Sequence, residues 1–134
     1  MKVILDTNVF ISGVFFTGPP SQILKAWHDE KLQLVISQEI LEEYERVAEE
    51  LTAQFPLVNV QQILEMVAVK AERYSPLRLT EPVCDDSDDD KFIACALASK
   101  CKIIVSGDKH LLKVSGFRGI KVVKPPEFVD KYLH

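Results

Sequence analysis

The chain has 134 residues, 47% of them hydrophobic, and a formal net charge of −4, which is the size of one domain and enough apolar material for one core. No apolar run approaches the ~20 residues needed to cross a bilayer, and Asp6 interrupts the apolar start at once, so neither a secretory leader nor a membrane span is expected and the expected compartment is the cytoplasm. Cys84, Cys95 and Cys101 show no Cys-x-x-Cys spacing and are expected to be reduced, structural thiols.

In chain order, residues 2–6 read as a buried strand. Pro19-Pro20 open a helix over 21–30 with Ile23, Leu24 and Trp27 on one side. A second strand covers 32–36. Ser37 caps a helix over 38–53, whose apolar positions Ile40, Leu41, Tyr44, Val47, Ala48 and Leu51 follow the 3.6-residue period. After Pro56 the same pattern predicts a helix over 60–73, with Ile63, Leu64, Val67 and Ala71 inward. Residues 75–84, with Pro76 and Pro82, read as a connector. A helix over 89–100 is apolar on nearly every side from Phe92 to Ala98, so it is expected to be packed all round. Strands follow at 103–105 and 120–123, with a short helix near 109–113 between them, and Pro125-Pro126 open a last helix. Strands alternating with helices predict a single α/β domain over 1–134, with a central parallel sheet flanked by helices on both faces.

Two strands run into acids. Asp6 follows Val3-Ile4-Leu5, and Asp108 follows Ile103-Ile104-Val105 by three residues. Parallel strands bring their carboxyl ends to one edge of the sheet, where ligands bind, so these acids can meet in one pocket. Each also has a plainer reading, Asp6 as a helix cap and Asp108 as a turn aspartate capping the helix after it. Asn8 is a candidate to orient Asp6, and Gly107 to permit a tight turn or close backbone approach.

Among the six glutamates of helix 38–53, Glu42 points roughly 165° from the core direction, whereas Glu43 lies roughly 95° from it, nearest the buried stripe. Glu43 therefore looks along the helix flank into a cleft or makes a boundary salt bridge. Asp85, Asp86, Asp88, Asp89 and Asp90 precede the buried helix. Capping and the helix dipole account for one or two of them at ~0.3–1 kcal/mol each, and a bound cation would offset the repulsion among the rest. Asp89 is three residues before Phe92 and four before Ile93, so it is the favoured inward acid, with Asp90 or Asp86 next.

Oxygen-only ligation suits Mg²⁺ or Mn²⁺, one ion or two, whereas zinc calls for His or Cys, and His28, His110 and His134 are scattered. Removing the five aspartates of residues 85–90 from the total of −4 leaves +1, and the stretch 109–124 carries Lys109, Lys113, Arg118, Lys121 and Lys124 with no acid. That stretch suits a polyanion held by its phosphates, or is an ordinary solvated surface.

The motifs bearing these acids resemble those of PIN-domain ribonucleases of the compact prokaryotic kind that includes VapC-like toxins. Leu5-Asp6-Thr7-Asn8-Val9-Phe10-Ile11-Ser12 is similar to the first motif of that family. Ser37-Gln38-Glu39-Ile40-Leu41-Glu42-Glu43-Tyr44 is similar to the second, with its acid on Glu43. Asp86-Ser87-Asp88-Asp89-Asp90-Lys91-Phe92-Ile93 and Val105-Ser106-Gly107-Asp108 are similar to the third and fourth, although Ser87 stands where a proline is common and the register leaves Asp89 or Asp90 as the active acid. The resemblance implies a metal-dependent ribonuclease in which Asp6, Glu43, Asp89 and Asp108 hold Mg²⁺ or Mn²⁺ and a metal-activated water cuts RNA to 5′-phosphate and 3′-hydroxyl ends. Asn8, Ser106 and Asp90 are then expected to support these acids, and Lys109, Lys113 and Arg118 to meet the RNA backbone. An antitoxin protein and a second copy of the chain are the implied partners. The competing expectation is a non-catalytic or latent module of the same fold. A phosphoryl-accepting receiver fits poorly, because strand 32–36 ends in Ser37 and Asp6-Thr7-Asn8 lacks a second acid.

Overall fold

The computed structural model describes residues 1–133, and His134, one of the scattered histidines, lies outside the described residues. The elements in order are β1 (Lys2–Leu5), α1 (Thr7–Phe15), α2 (Pro19–His28), β2 (Gln33–Ile36), α3 (Gln38–Thr52), α4 (Val60–Lys70), β3 (Glu72–Arg73), a 3-10 turn (Ser87–Asp89), α5 (Asp90–Ser99), β4 (Ile103–Val105), α6 (Lys109–Leu112), a second 3-10 turn (Phe117–Gly119), β5 (Lys121–Val123) and α7 (Pro125–Tyr132). Among the described residues no helix is long and apolar enough to cross a membrane.

The strands form one sheet in the order β3-β2-β1-β4-β5, every pair parallel. The chain builds outward from β1 through β2 to β3, then returns to β1's other side for β4 and β5. The strand order therefore reverses between β1 and β4, which is where open α/β sheets place their ligands. Leu5 pairs with Val105, and the Asp6 N–H donates to the Val105 carbonyl at 3.1 Å. Asp6 and Ser106 thus leave the sheet side by side at the switch point.

β1 is buried on both faces, as the central strand of a covered parallel sheet must be: Val3 and Ile4 are 0% exposed. Tyr44 of α3 is fully buried, its ring stacked on Phe10 of α1 with centroids 4.1 Å apart, and its hydroxyl donates to the Leu5 carbonyl. Such a stacked pair adds ~0.5–1.5 kcal/mol to its buried area. It also fixes the neighbouring Glu43 beside the end of β1. Gly13 lets α1 approach α2, since a Cβ there would stand 2.8 Å from the Pro20 carbonyl oxygen.

The α/β architecture expected from the alternating pattern is what the chain adopts, with differences in detail. Thr7–Phe15, to which the pattern assigned no element, is helical, because Asp6 caps it and Val9, Phe10, Ile11 and Phe15 are all buried. The helix expected over 60–73 stops at Lys70, where Ala71 turns extended and Glu72–Arg73 add a fifth strand on the open edge of β2. The helix expected from Ser21 starts at Pro19, and that expected from Asp89 starts as a 3-10 turn at Ser87. Gly107 keeps a φ open to any residue, and nothing lies within 4 Å of where its side chain would begin, so the turn there does not require glycine. All three cysteines are free and buried, and burial pushes the Cys84 and Cys95 thiols up to about 12, which makes them poor nucleophiles.

Candidate active site

Asp6, Glu43, Asp89 and Asp108, acids from four separate elements, line one small cleft of about 90 Å³ together with Thr7, Asn8 and Phe92. The cleft sits over the β1/β4 switch point. It has room for an ion and a few waters, not for a nucleotide base.

Each acid is brought there by a local rule. Asp6 ends β1 and caps α1, accepting the Val9 N–H at 2.8 Å on one carboxylate oxygen and the Ser106 hydroxyl on the other. Asp108 caps α6 through the His110 N–H at 2.7 Å. The capping readings of Asp6 and Asp108 are thus correct and compatible with a place in the cleft. Ser106 is fully buried and couples the two, donating to Asp6 while accepting the Asp108 N–H at 2.9 Å. Asn8 lies on the rim, but Asp6 is oriented by Val9 and Ser106 rather than by Asn8.

Four of the five aspartates in residues 85–90 have distinct surroundings. Asp85 pairs with Lys113 at 3.0 Å, and Asp86 caps the 3-10 turn through the Asp88 N–H at 3.0 Å. Asp90 turns away from the cleft and accepts the backbone N–H groups of Cys84 at 2.7 Å and Val83 at 3.3 Å, which ties the preceding loop to the start of α5. Asp89 alone of the five lines the cleft, and its Oδ2 is buried with no hydrogen-bond partner among the described residues. The expectation that repulsion within this run calls for a cation therefore narrows to Asp89.

Glu43 has partners that the sequence reading missed. The Thr7 hydroxyl donates to one of its oxygens and the Lys91 ammonium to the other. The Lys91 and Glu43 side chains are 8% and 19% exposed, so this ion pair lies mostly inside the protein. Burial alone would raise the Glu43 pKa, but Lys91 and Thr7 outweigh it and hold the carboxyl below its usual range.

Asp6 and Asp89 shift the other way. Burial raises Asp6 most, and Asp108 and Glu43 add to the rise against the lowering effect of Ser106 and Val9. Burial, then the charges of Asp108, Asp86 and Asp6, push Asp89 up to about 6. The folded chain therefore holds protons on these acids at a pH where the unfolded chain has released them, and stability falls as pH rises through that window. Metal-free protein is expected to melt at a higher temperature near pH 5 than near pH 7 in chelator, and saturating Mn²⁺ is expected to remove the difference. Glu43 has the opposite sign, but its contribution is lost only as pH falls below the ordinary carboxylate range. Identical melts at the two pH values would show that Asp89 carries no such strain.

The donor set fits a hard divalent cation: carboxylate oxygens, one of them buried and unpartnered, and two acids whose ionised forms are disfavoured without a counter-charge. Among the described residues no three carboxylate, imidazole or thiol groups already stand in coordinating geometry. The carboxylate oxygens of Glu43 and Asp6 are instead engaged by Lys91, Thr7, the Val9 N–H and Ser106. Asp6, Asp89 and Asp108 are the cleft residues that would hold the ion.

Of the basic residues expected to meet RNA, Lys113 and Arg118 line a second, larger cavity, whereas Lys109 is exposed and does not line it.

A family model described as PIN domain matches residues 2–110, a span that holds all four acids of the cleft. The chain is also 33% identical to the uncharacterized protein MJ1680 of Methanocaldococcus jannaschii, across 98% of this chain and 92% of that protein.

Proposed function

The chain belongs to the PIN domain family, typically metal-dependent nucleases, and from that premise we propose that it is an endoribonuclease dependent on Mg²⁺ or Mn²⁺. The observation that carries this reading is the buried, unpartnered Asp89 oxygen in a cleft shared with Asp6, Glu43 and Asp108. Such a group is costly to keep ionised unless something charged meets it.

A divalent ion bound there supplies Lewis acidity toward a phosphate oxygen and lowers the pKa of a water that can attack the phosphorus. The protein's own groups set the geometry. Ser106 holds Asp6 and the backbone of Asp108 in fixed relation. Asp90 anchors the loop so that its neighbour Asp89 faces the cleft. Lys91 supplies a resident positive charge to Glu43. Four ionised carboxylates carry four negative charges, Lys91 offsets one and a single divalent ion two more. One ion thus leaves a single uncompensated negative charge, against two in a site without Lys91, and Glu43, already paired, acts as a wall of the site rather than as a direct ligand.

Incubation of a 5′-labelled RNA with the protein tests the reading. Cleavage with Mg²⁺ or Mn²⁺, its loss in chelator, and 5′-phosphate and 3′-hydroxyl products are expected. The commitment of Glu43 to Lys91 and Thr7 favours a second reading, a latent module whose acids bind metal without turnover. Its signature is stabilisation by Mn²⁺ with no cleavage of any RNA offered.

A further inference from the structure

We propose that a second groove, beside the acid cleft and distinct from it, binds the single-stranded RNA a short distance along from the bond that is cut. The proposal rests on the nuclease reading and goes beyond it in saying where the strand lies. Part of the groove falls after residue 110, outside the span that the family model matches.

The groove has a volume of about 810 Å³ and lies between the connector at 77–83, the last turn of α5 and the segment 113–118. Leu97, Val114 and Phe117 give it an apolar wall, and Arg78, Lys113 and Arg118 give it three cations against the single acid Glu81. A chain of net charge −4 thus carries a local excess of +2 in this lining. Arg78 and Arg118 have no acidic partner among the described residues. Lys113 is paired with Asp85, but both side chains are mostly exposed, at 70% and 61%, and such pairs are worth ~0–1 kcal/mol, so a phosphate can displace the carboxylate. Unpaired cations over an apolar wall with a half-buried aromatic ring match the way single strands are held, by backbone charge and base stacking. An acidic peptide would use the cations but leave the apolar wall without a planar partner.

The groove is also joined to the acid cleft. α6 starts at its cap Asp108, in the cleft, and ends at its cap Lys113, in the groove. The two caps are five residue steps apart, about 7.5 Å at the helical rise, so the cleft and the groove stand side by side along α6. α5 makes the same connection, from Asp89 at its start to Leu97 in its last turn. Arg118 is held by an unusual turn, with φ 49° between Gly116 at φ 99° and Gly119 at φ 82°. A non-glycine residue rarely takes that conformation unless its surroundings impose it.

The test is fluorescence anisotropy of a labelled oligouridylate with full-length protein in chelator, for wild type and for Arg78→Ala/Arg118→Gly. Glycine adopts the left-handed φ of position 118 freely, so the substitution removes the side chain without straining the turn. Binding at least ~10-fold weaker is expected, with the slope of log affinity against log salt reduced by about 1.4, for two phosphate contacts on a single strand. The Mn²⁺-induced shift in melting temperature is expected to stay as in wild type, which shows that the fold and the acid cleft are intact. Phe117→Ala is expected to weaken binding without changing the salt slope. Equal affinity and slope in wild type and double variant would overturn the proposal, as would tight binding of polyglutamate with no binding of the oligouridylate. Wild-type cleavage of RNA together with unaltered binding by the double variant removes the groove and leaves the nuclease reading. RNA binding lost with the double variant, in a wild type that cleaves nothing, leaves the groove and removes the nuclease reading.

Discussion

Asp89→Asn is expected to lose RNA cleavage by about 10³-fold while making the metal-free protein more stable near pH 7. The two effects have one cause. Asp89 keeps a buried oxygen without a partner and is pushed up to about 6 by burial and by Asp108, Asp86 and Asp6. Asparagine removes the charge, so the metal-free fold no longer bears that repulsion. The same change deletes the ligand that the cation needs, so the Mn²⁺-induced rise in melting temperature is expected to vanish with the activity. Thermal melts with and without Mn²⁺, beside cleavage assays, measure all three. A variant that cleaves like wild type would remove Asp89 from the site. One that loses activity and also unfolds more easily would assign it a structural role instead.

Lys91→Met is expected to act in the opposite sense on stability. Breaking a fully buried ion pair from one side costs about 3 kcal/mol, because the remaining charge is left without its partner, and this part-buried pair is expected to cost somewhat less. Here Glu43 would keep the Thr7 hydroxyl and the charge of Arg46, close to Asp6 and to the other acids of the cleft. The metal-free variant is therefore expected to melt well below wild type and to regain most of the loss in Mn²⁺. Equilibrium dialysis is expected to show one Mn²⁺ per chain for wild type and tighter or additional uptake by the variant, because Glu43 is released to the solvent side of the cleft. Lys91→Arg, which keeps the charge, is expected to hold the wild-type stoichiometry. If Lys91→Met leaves stability and Mn²⁺ uptake unchanged, the ammonium is not the resident cation of the site.

Much of this was legible in the residues. The acids at the ends of β1 and β4 follow from buried apolar runs that stop at Asp6 and shortly before Asp108. Glu43 follows from its angle on α3, and Asp89 from its spacing to Phe92 and Ile93. Other features depend on neighbours distant in sequence. Lys91 meets Glu43 across 48 residues, and beside five aspartates it reads as one more solvated charge. A signal was nonetheless present: Ala94 and Cys95, three and four residues on, are both buried, so Lys91 starts on a buried face where a lysine needs a partner. β3 has two residues and no pattern of its own, and the free edge of β2 makes it a strand. α1 is buried on more than one side, which blurs its helical period in the sequence. The aspartate run reads as one shared repulsion, but capping, loop anchoring and a surface ion pair occupy Asp86, Asp90 and Asp85 in turn.

The most direct measurement is a crystal structure of the protein soaked in Mn²⁺, with data collected at the manganese edge. The account requires an anomalous peak in the cleft, within about 2.0–2.4 Å of oxygens from Asp6, Asp89 and Asp108, with Lys91 still on Glu43. A Mn²⁺-saturated crystal with no peak there, or with its manganese bound elsewhere, would contradict it.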